Sequence, residues 1–111
     1  MKRIIFITTV LLLAMYVFTV AGDKSDAELQ IELGIKAAKN NQWQEAAYRW
    51  KKATELESNN AAAHNNLAVA YEELGFFDAA LEEYEIAYKL APDNLSIKAN
   101  ITSFKESYKL K

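Results

Sequence analysis

The fold of this chain is decided by residues 61–94, which read AAAHNNLAVAYEELGFFDAALEEYEIAYKLAPDN. Apolar residues recur there every three or four positions, as on one side of an amphipathic helix. One stripe ends at Gly75 and a second ends before Pro92, and both residues are typical of helix ends. The stripe residues are Leu67, Ala70, Tyr71 and Leu74, then Phe77, Ala80, Leu81, Tyr84, Ala87 and Tyr88. The stretch therefore predicts two consecutive helices.

The same pattern occurs earlier in the chain. A shift of 34 residues aligns 27–60 with 61–94 without a gap. Identical or similar residues then coincide at Leu33 and Leu67, Gly34 and Ala68, Ile35 and Val69, Trp43 and Phe77, Ala46 and Ala80, Trp50 and Tyr84, Ala53 and Ala87, Leu56 and Leu90, and Asn60 and Asn94. The matching positions are mostly apolar or small, whereas the polar positions differ freely. This indicates a duplicated helix pair whose core positions repeat.

Small residues stand where the helices of each pair would touch. In the first unit the core stripes are Leu33 with Ala37, followed by Trp43, Ala46, Ala47, Trp50, Ala53 and Leu56. A large side chain at a helix crossing would push the pair apart. We therefore expect Gly34 to lie opposite Ala46, and Ala68 to lie opposite Ala80.

These residues resemble the tetratricopeptide repeat, a pair of antiparallel helices with small and aromatic residues at fixed places. The second unit carries the pattern at His64, Leu67, Ala68, Tyr71, Gly75, Ala80, Tyr84, Ala87 and Pro92. The first unit is more divergent, with Gln30, Leu33, Gly34, Ala37, Asn41, Ala46, Trp50, Ala53 and Ser58. The resemblance implies an all-α fold: a short helical solenoid with repeats at 27–60 and 61–94 and a C-terminal capping helix at 95–111.

Polar residues mark the expected helix starts. At the end of a short connector at 23–26, Ser25 has the spacing of a capping box with Glu28. Asn94 can cap the last helix in the same way. Because the end of a repeat stack needs a cover, we expect the last helix to pack on the second unit. The residues expected to cover it are Leu95, Ile97, Ile101, Phe104 and Tyr108.

A hydrophobic segment precedes the repeats. Lys2 and Arg3 are followed by an almost uninterrupted apolar run at 4–21 and then by Gly22. This layout is typical of a secretory signal peptide, and its length is also just sufficient for an uncleaved transmembrane anchor. Both alternatives place the repeats outside the cytoplasm, since Lys2 and Arg3 stay on the cytoplasmic side. We expect a periplasmic, secreted or membrane-anchored protein, with membrane contact only through 4–21 if that segment is uncleaved.

The composition argues against several functional classes. The 111 residues include no cysteine and one histidine, which excludes disulfides and thiolate metal sites. The net charge is −2, and it becomes two units more negative without Lys2 and Arg3, so nothing favours nucleic acid. His64 has no nucleophile nearby in the sequence pattern and is interpreted as a structural residue. We expect no catalytic residue, no metal and no cofactor, and hence no enzyme.

Charged residues differ in sign between the two units. An acidic run in the second unit is interpreted as a solvated helix face rather than a calcium loop, because the loop spacing is missing. It consists of Glu72, Glu73, Asp78, Glu82, Glu83 and Glu85. Arg49 and Lys51 align with Glu83 and Glu85, which suggests a weak role in the register of the two units, although exposed pairs contribute only about 0–1 kcal/mol.

The resemblance also implies a binding surface, because the first helix of each tetratricopeptide unit lines a concave groove that holds a peptide or a helix. Its residues here are Ile31, Ile35 and Ala38 in the first unit and Asn65, Val69, Glu72 and Glu73 in the second. Ile31 and Ile35 stand where the repeats that bind chaperone C-termini use Lys and Asn, so an apolar or mixed partner surface is expected. The sequence thus favours a non-enzymatic protein–protein interaction module. The alternative is a structural subunit that self-associates through Ile31, Ile35 and the open edge of the first unit.

Overall fold

The computed structural model describes residues 24–109, which form five α-helices without strands. They are α1 (Asp26–Lys39), α2 (Trp43–Leu56), α3 (Ala61–Glu73), α4 (Phe77–Leu90) and α5 (Leu95–Lys109). Each helix packs on the next one along the chain, so that α1 with α2 and α3 with α4 form two antiparallel pairs. The all-α repeat architecture predicted from the sequence is confirmed. The expected signal peptide or anchor at 1–22 lies outside the described residues.

Within the part of the chain that the structure describes, no helix is long and apolar enough to cross a membrane.

The helix starts follow the sequence signals. Ser25 Oγ accepts a hydrogen bond from the Glu28 backbone N–H at 3.2 Å, and a Glu28 carboxylate oxygen accepts one from the Ser25 N–H, which completes the predicted capping box. Asn60 and Asn94 accept from backbone N–H groups three residues on, at 3.0 and 3.1 Å. These two caps are 34 residues apart and have the same geometry.

The turns inside the two pairs repeat as well. Asn41 and Gly75 occupy equivalent places and both adopt positive φ angles, of 57° and 81°. Behind each, a backbone N–H reaches five residues back: Gln42 donates to Ala37 at 2.9 Å, and the equivalent bond in the second unit is 2.8 Å long. This is the closing bond of a helix end with one left-handed residue. Asparagine adopts that conformation more readily than most other non-glycine residues, which explains the substitution.

The core consists of two clusters. The first joins α1 and α2 to the start of the second unit through Ala37, Ala46, Ala47, Trp50, Leu67 and Ala70. The second joins α3 and α4 to α5 through Ala68, Ala80, Tyr84, Ile101 and Phe104. Each cluster therefore crosses a boundary between units, so the units are stabilised by stacking.

The surroundings of Gly34 show why a small residue is needed there. A Cβ atom at this position would meet the Trp50 ring, 2.6 Å from Cδ1 and 2.7 Å from Cε2. The residue opposite Gly34 is therefore the Trp50 indole, which also donates its Nε1 proton to the Ile31 carbonyl at 3.1 Å. The prediction that a small residue is needed there is confirmed, and the nearest side chain is the Trp50 indole, which the sequence pattern did not indicate.

Several predicted core residues are exposed. Leu56 and Leu90, the last residues of their stripes and of their helices, are 52% and 41% exposed. In α5, Ile97, Ile101 and Phe104 are buried as predicted, whereas Leu95 is 81% exposed. The expectation that Leu95 covers the second pair is therefore wrong.

Candidate partner-binding surface

The predicted residues of α1 lie at the edge of the first core cluster. Ile31 and Ala38 are half-buried against it, whereas Ile35 is 39% exposed. Ile31 also borders a shallow cleft of about 360 Å³, which is lined by Glu28 and by an ion pair between Lys24 and Glu32 at 2.6 Å. Ile35 is thus the most accessible apolar side chain of the predicted site, and Ile31 has in addition a packing role.

The predicted residues of α3 have different environments. Asn65 is buried, and its Oδ1 accepts a hydrogen bond from Asn100 Nδ2 of α5 at 3.2 Å. It therefore ties α3 to α5 and we leave it out of the binding surface. Val69 is half-buried against the second cluster, Glu72 is half-buried, and Glu73 is exposed. We use the name groove surface for Ile31, Ile35, Ala38, Val69, Glu72 and Glu73.

A tyrosine on α4 fixes the Glu72 carboxylate. The Tyr84 hydroxyl donates a hydrogen bond to Glu72 Oε1 at 3.0 Å. Burial first, and then the nearby Glu72 charge, raise the pKa of Tyr84 far above its ordinary value. The hydroxyl therefore stays protonated and remains a donor. One oxygen of Glu72 is held in place, and the carboxylate keeps further acceptor positions directed away from Tyr84.

A small aromatic crevice adjoins Glu72. It has a volume of about 30 Å³ and is lined by Glu72, Phe77, Phe104, Ser107 and Tyr108. The ring centres of Phe77 lie 6.4 Å from Phe104 and 6.1 Å from Tyr108, and those of Phe104 and Tyr108 are 5.7 Å apart. The Tyr108 hydroxyl donates to Asp78 at 2.8 Å, which raises the pKa of Tyr108. The crevice thus combines aromatic faces with a carboxylate.

The crevice was not predicted from the sequence, which assigned Phe104 and Tyr108 only to a covering role. Their helical spacing indicates that they share one face of α5. It does not show that this face meets Phe77 and Glu72, because those residues come from a different unit. The only sign of the crevice in the sequence was the presence of three aromatic residues, Phe77, Phe104 and Tyr108.

Two further aromatic residues, Tyr48 and Phe76, are both exposed. Tyr48 and Phe76 lie on the side of the turns, and Tyr48 lines a broad open cleft of about 950 Å³ together with Trp43 and Leu74. Two cations lie near the Tyr48 ring: the guanidinium carbon of Arg49 is 5.6 Å from its centre and Lys52 Nζ is 5.4 Å from it. The ring is therefore already covered in part by the chain's own charges.

His64 is engaged at both ring nitrogens. Nδ1 lies 2.6 Å from Glu83 Oε2, and Nε2 lies 2.8 Å from the Ser58 carbonyl oxygen, which can only accept. The ring thereby links α3 to α4 and to the preceding loop, which is a structural role. Glu83 is half-buried in this contact. The acidic run is therefore not a uniformly solvated helix face, which is what the sequence pattern predicted.

The equivalent contact in the first unit joins Arg49 to Gln30 at 3.4 Å, and Arg49 also pairs with Glu45 at 2.8 Å. Arg49 and Glu83 occupy equivalent places with opposite charges, and each contacts a different partner within its own unit: Gln30 in the first and His64 in the second. Among residues 24–109, no group of three or more acidic, histidine or cysteine side chains is arranged to hold a metal ion.

Comparison with known proteins agrees with this geometry. A family model described as TPR repeat matches residues 38–75, and one described as tetratricopeptide repeat matches residues 61–94. The chain is 36% identical over 81 residues to translocon at the outer membrane of chloroplasts 64 of Pisum sativum. That match covers 73% of this chain but only 13% of the relative.

A solved structure, MamA AMB-1 in a P212121 crystal, has the same fold with a TM-score of 0.66 and 23% identity. The likeness covers 86% of this chain and 51% of that one. The helix pairs, their shared turns and the two matching family models lead to one conclusion: this chain contains tetratricopeptide repeats.

Proposed function

We propose that the chain is a non-enzymatic protein-binding module whose groove surface holds a peptide or a helix of a partner protein. The observation that carries this proposal is the strip of accessible side chains on the first helices, where Ile35 and Glu73 are exposed and Val69 and Glu72 are half-exposed. These side chains occupy the places that the tetratricopeptide resemblance assigns to ligand contacts. Stacking of the two units joins their helices, α1 and α3, through the first core cluster.

A matched pair of substitutions tests the proposal. Ile35 on α1 and Ile86 on α4 are the same residue type and are each 39% exposed, but only Ile35 belongs to the groove surface. Proteins that cross-link to the full chain in the cells that make it should be lost with Ile35→Asp and retained with Ile86→Asp. Circular dichroism should show equal helicity for both, since exposed substitutions change stability by about 0.5 kcal/mol or less. Equal retention with the two variants would refute the groove as the binding site.

A second candidate is the self-associating subunit, and one observation favours it. Leu29 on α1 is exposed, whereas the equivalent Ala63 on α3 is buried. However, Lys36 stands where the equivalent Ala70 is fully buried, so a helix packed there in the same way would bury an ammonium group at high cost. Light scattering separates the two candidates: a constant monomer mass supports the adaptor, and an oligomer that Leu29→Asp dissociates supports the subunit.

We propose further that the repeats act outside the cytoplasm. The support is the basic start at Lys2 and Arg3 followed by the apolar run at 4–21. The name of the Pisum sativum relative, a translocon at an outer membrane, fits a membrane-associated setting. Fused to alkaline phosphatase, which is active only after export, residues 1–24 should give active enzyme in bacteria. A fusion that stays inactive would show that the segment does not direct export.

A further inference from the structure

The groove surface changes character along the stack. Its first part, on α1, is apolar at Ile35 and Ala38. At the place equivalent to Ala38, α3 has Glu72 and α5 has Glu106, and Glu73 follows on α3 in the place of Lys39. At these two places α1 therefore has no carboxylate, whereas α3 has Glu72 and Glu73 and α5 has Glu106.

The aromatic crevice lies at this acidic end. Two tyrosine hydroxyls near the crevice are already engaged as donors: that of Tyr84 donates to Glu72, and that of Tyr108 donates to Asp78. Apart from the Ser107 hydroxyl, the lining groups are aromatic faces and a carboxylate, which attract a cation. The crevice volume of about 30 Å³ suits an ammonium head but not a large ring.

We infer, on the basis of the proposed function, that the occupant of the groove is a protein segment with apolar residues followed by lysine. Its apolar residues lie on Ile35 and Val69, and one lysine ammonium enters the crevice between Glu72 and the Tyr108 ring. Charge complementarity selects this partner over an acidic one, because an acidic segment would bring its carboxylates close to those of Glu72, Glu73 and Glu106. Lys39, at the opposite end, sets the direction of the bound segment.

Fluorescence anisotropy with short labelled peptides tests the inference on the full chain. One probe is built of Leu, Ala and Lys, and in the matched probes Gln or Glu replaces Lys. The Lys probe should bind about tenfold more tightly than the Gln probe, and the Glu probe should bind most weakly. Glu72→Gln with Glu73→Gln should weaken the Lys probe about tenfold and leave the Gln probe within about twofold.

Two controls separate local contacts from general charge. Glu55→Gln with Glu82→Gln makes the same change in net charge at exposed positions away from the groove, and it should leave the Lys probe within about twofold. At the crevice, Tyr108→Phe keeps the ring and should retain binding, whereas Tyr108→Leu removes the aromatic face and should weaken the Lys probe about threefold. Equal losses in the two charge variants would overturn the inference.

The remaining outcomes are also distinct. If Lys and Gln probes bind equally and Ile35→Asp abolishes both, the groove stands and the lysine specificity is wrong. If Ile35→Asp changes no probe, the proposed function itself fails. If Lys2→Gln with Arg3→Gln tightens binding of the Lys probe, the chain's own N-terminal segment competes for the groove, and the assignment to a separate partner is overturned.

Discussion

At the scale of single residues, the two units solve one packing problem with different side chains. Gly34 lies against the large Trp50 indole, and 34 residues later Ala68 and Tyr84 stand at the same two places. The Tyr84 ring is smaller than the Trp50 indole, and it leaves room for the methyl group of Ala68 where the first unit has Gly34. The alignment of all four residues was evident in the sequence, but the Gly34–Trp50 contact was not, because spacing does not show how an indole lies across a helix crossing.

We predict that Gly34→Ala destabilises the fold by about 1–3 kcal/mol through overpacking, in spite of the better helix propensity of alanine. The cost should fall by at least about 1 kcal/mol in a Trp50→Tyr background, which reproduces the pair found in the second unit. Urea unfolding followed by circular dichroism measures all four proteins of this cycle. Strict additivity of the two substitutions would show that Gly34 is not constrained by the indole.

Neighbouring residues also decided which predicted site residues remain accessible. Asn65 and Val69 have the same helical spacing as Ile31 and Ile35, so the sequence treated them alike. In the structure Asn65 is buried and bonded to Asn100 of α5, whereas Ile31, at the equivalent place in the first unit, is only half-buried although α3 packs on that unit. Local spacing could predict the face of the helix but not what a later helix would cover.

At the scale of helices, α5 completes the second core cluster. Ile101 and Phe104 pack with Ala68, Ala80 and Tyr84, and Phe104 lies 5.2 Å from the Tyr84 ring centre. Its buried residues were predictable from their period, and its start from the Asn94 cap. The exposure of Leu95, the first residue of α5, was not predictable, because the period alone does not show where along α5 the contact with α4 begins.

We predict that Ile101→Ala lowers the free energy of unfolding by about 2–5 kcal/mol, since it leaves a cavity in the second cluster. Leu95→Ala serves as the matched control on the same helix and should change stability by about 0.5 kcal/mol or less. Both values come from urea unfolding monitored at the far-ultraviolet helix signal. A small effect of Ile101→Ala would mean that α5 is not an integral cover of the stack.

At the scale of the whole molecule, stacking brings together the side chains of the proposed binding surface. The 34-residue duplication predicted the helix pairs, and the polar residues at the helix starts predicted the caps, because both depend on contacts near in sequence. The aromatic crevice depends on α3, α4 and α5 meeting at one point, and the acidic end of the groove depends on Glu72 being held by Tyr84 from another helix. Such features follow from relative placement, which residue spacing alone does not determine.

The central claim is that a partner protein lies directly on the first helices. Photo-crosslinking measures this contact most directly: a benzophenone side chain is introduced into the full chain at position 35, 69 or 86, and the adducts formed in the producing cells are compared. Positions 35 and 69 should form adducts with the same partner, and position 86 should form none with it. Adducts at position 86 alone would place the partner on the second helices and contradict the account.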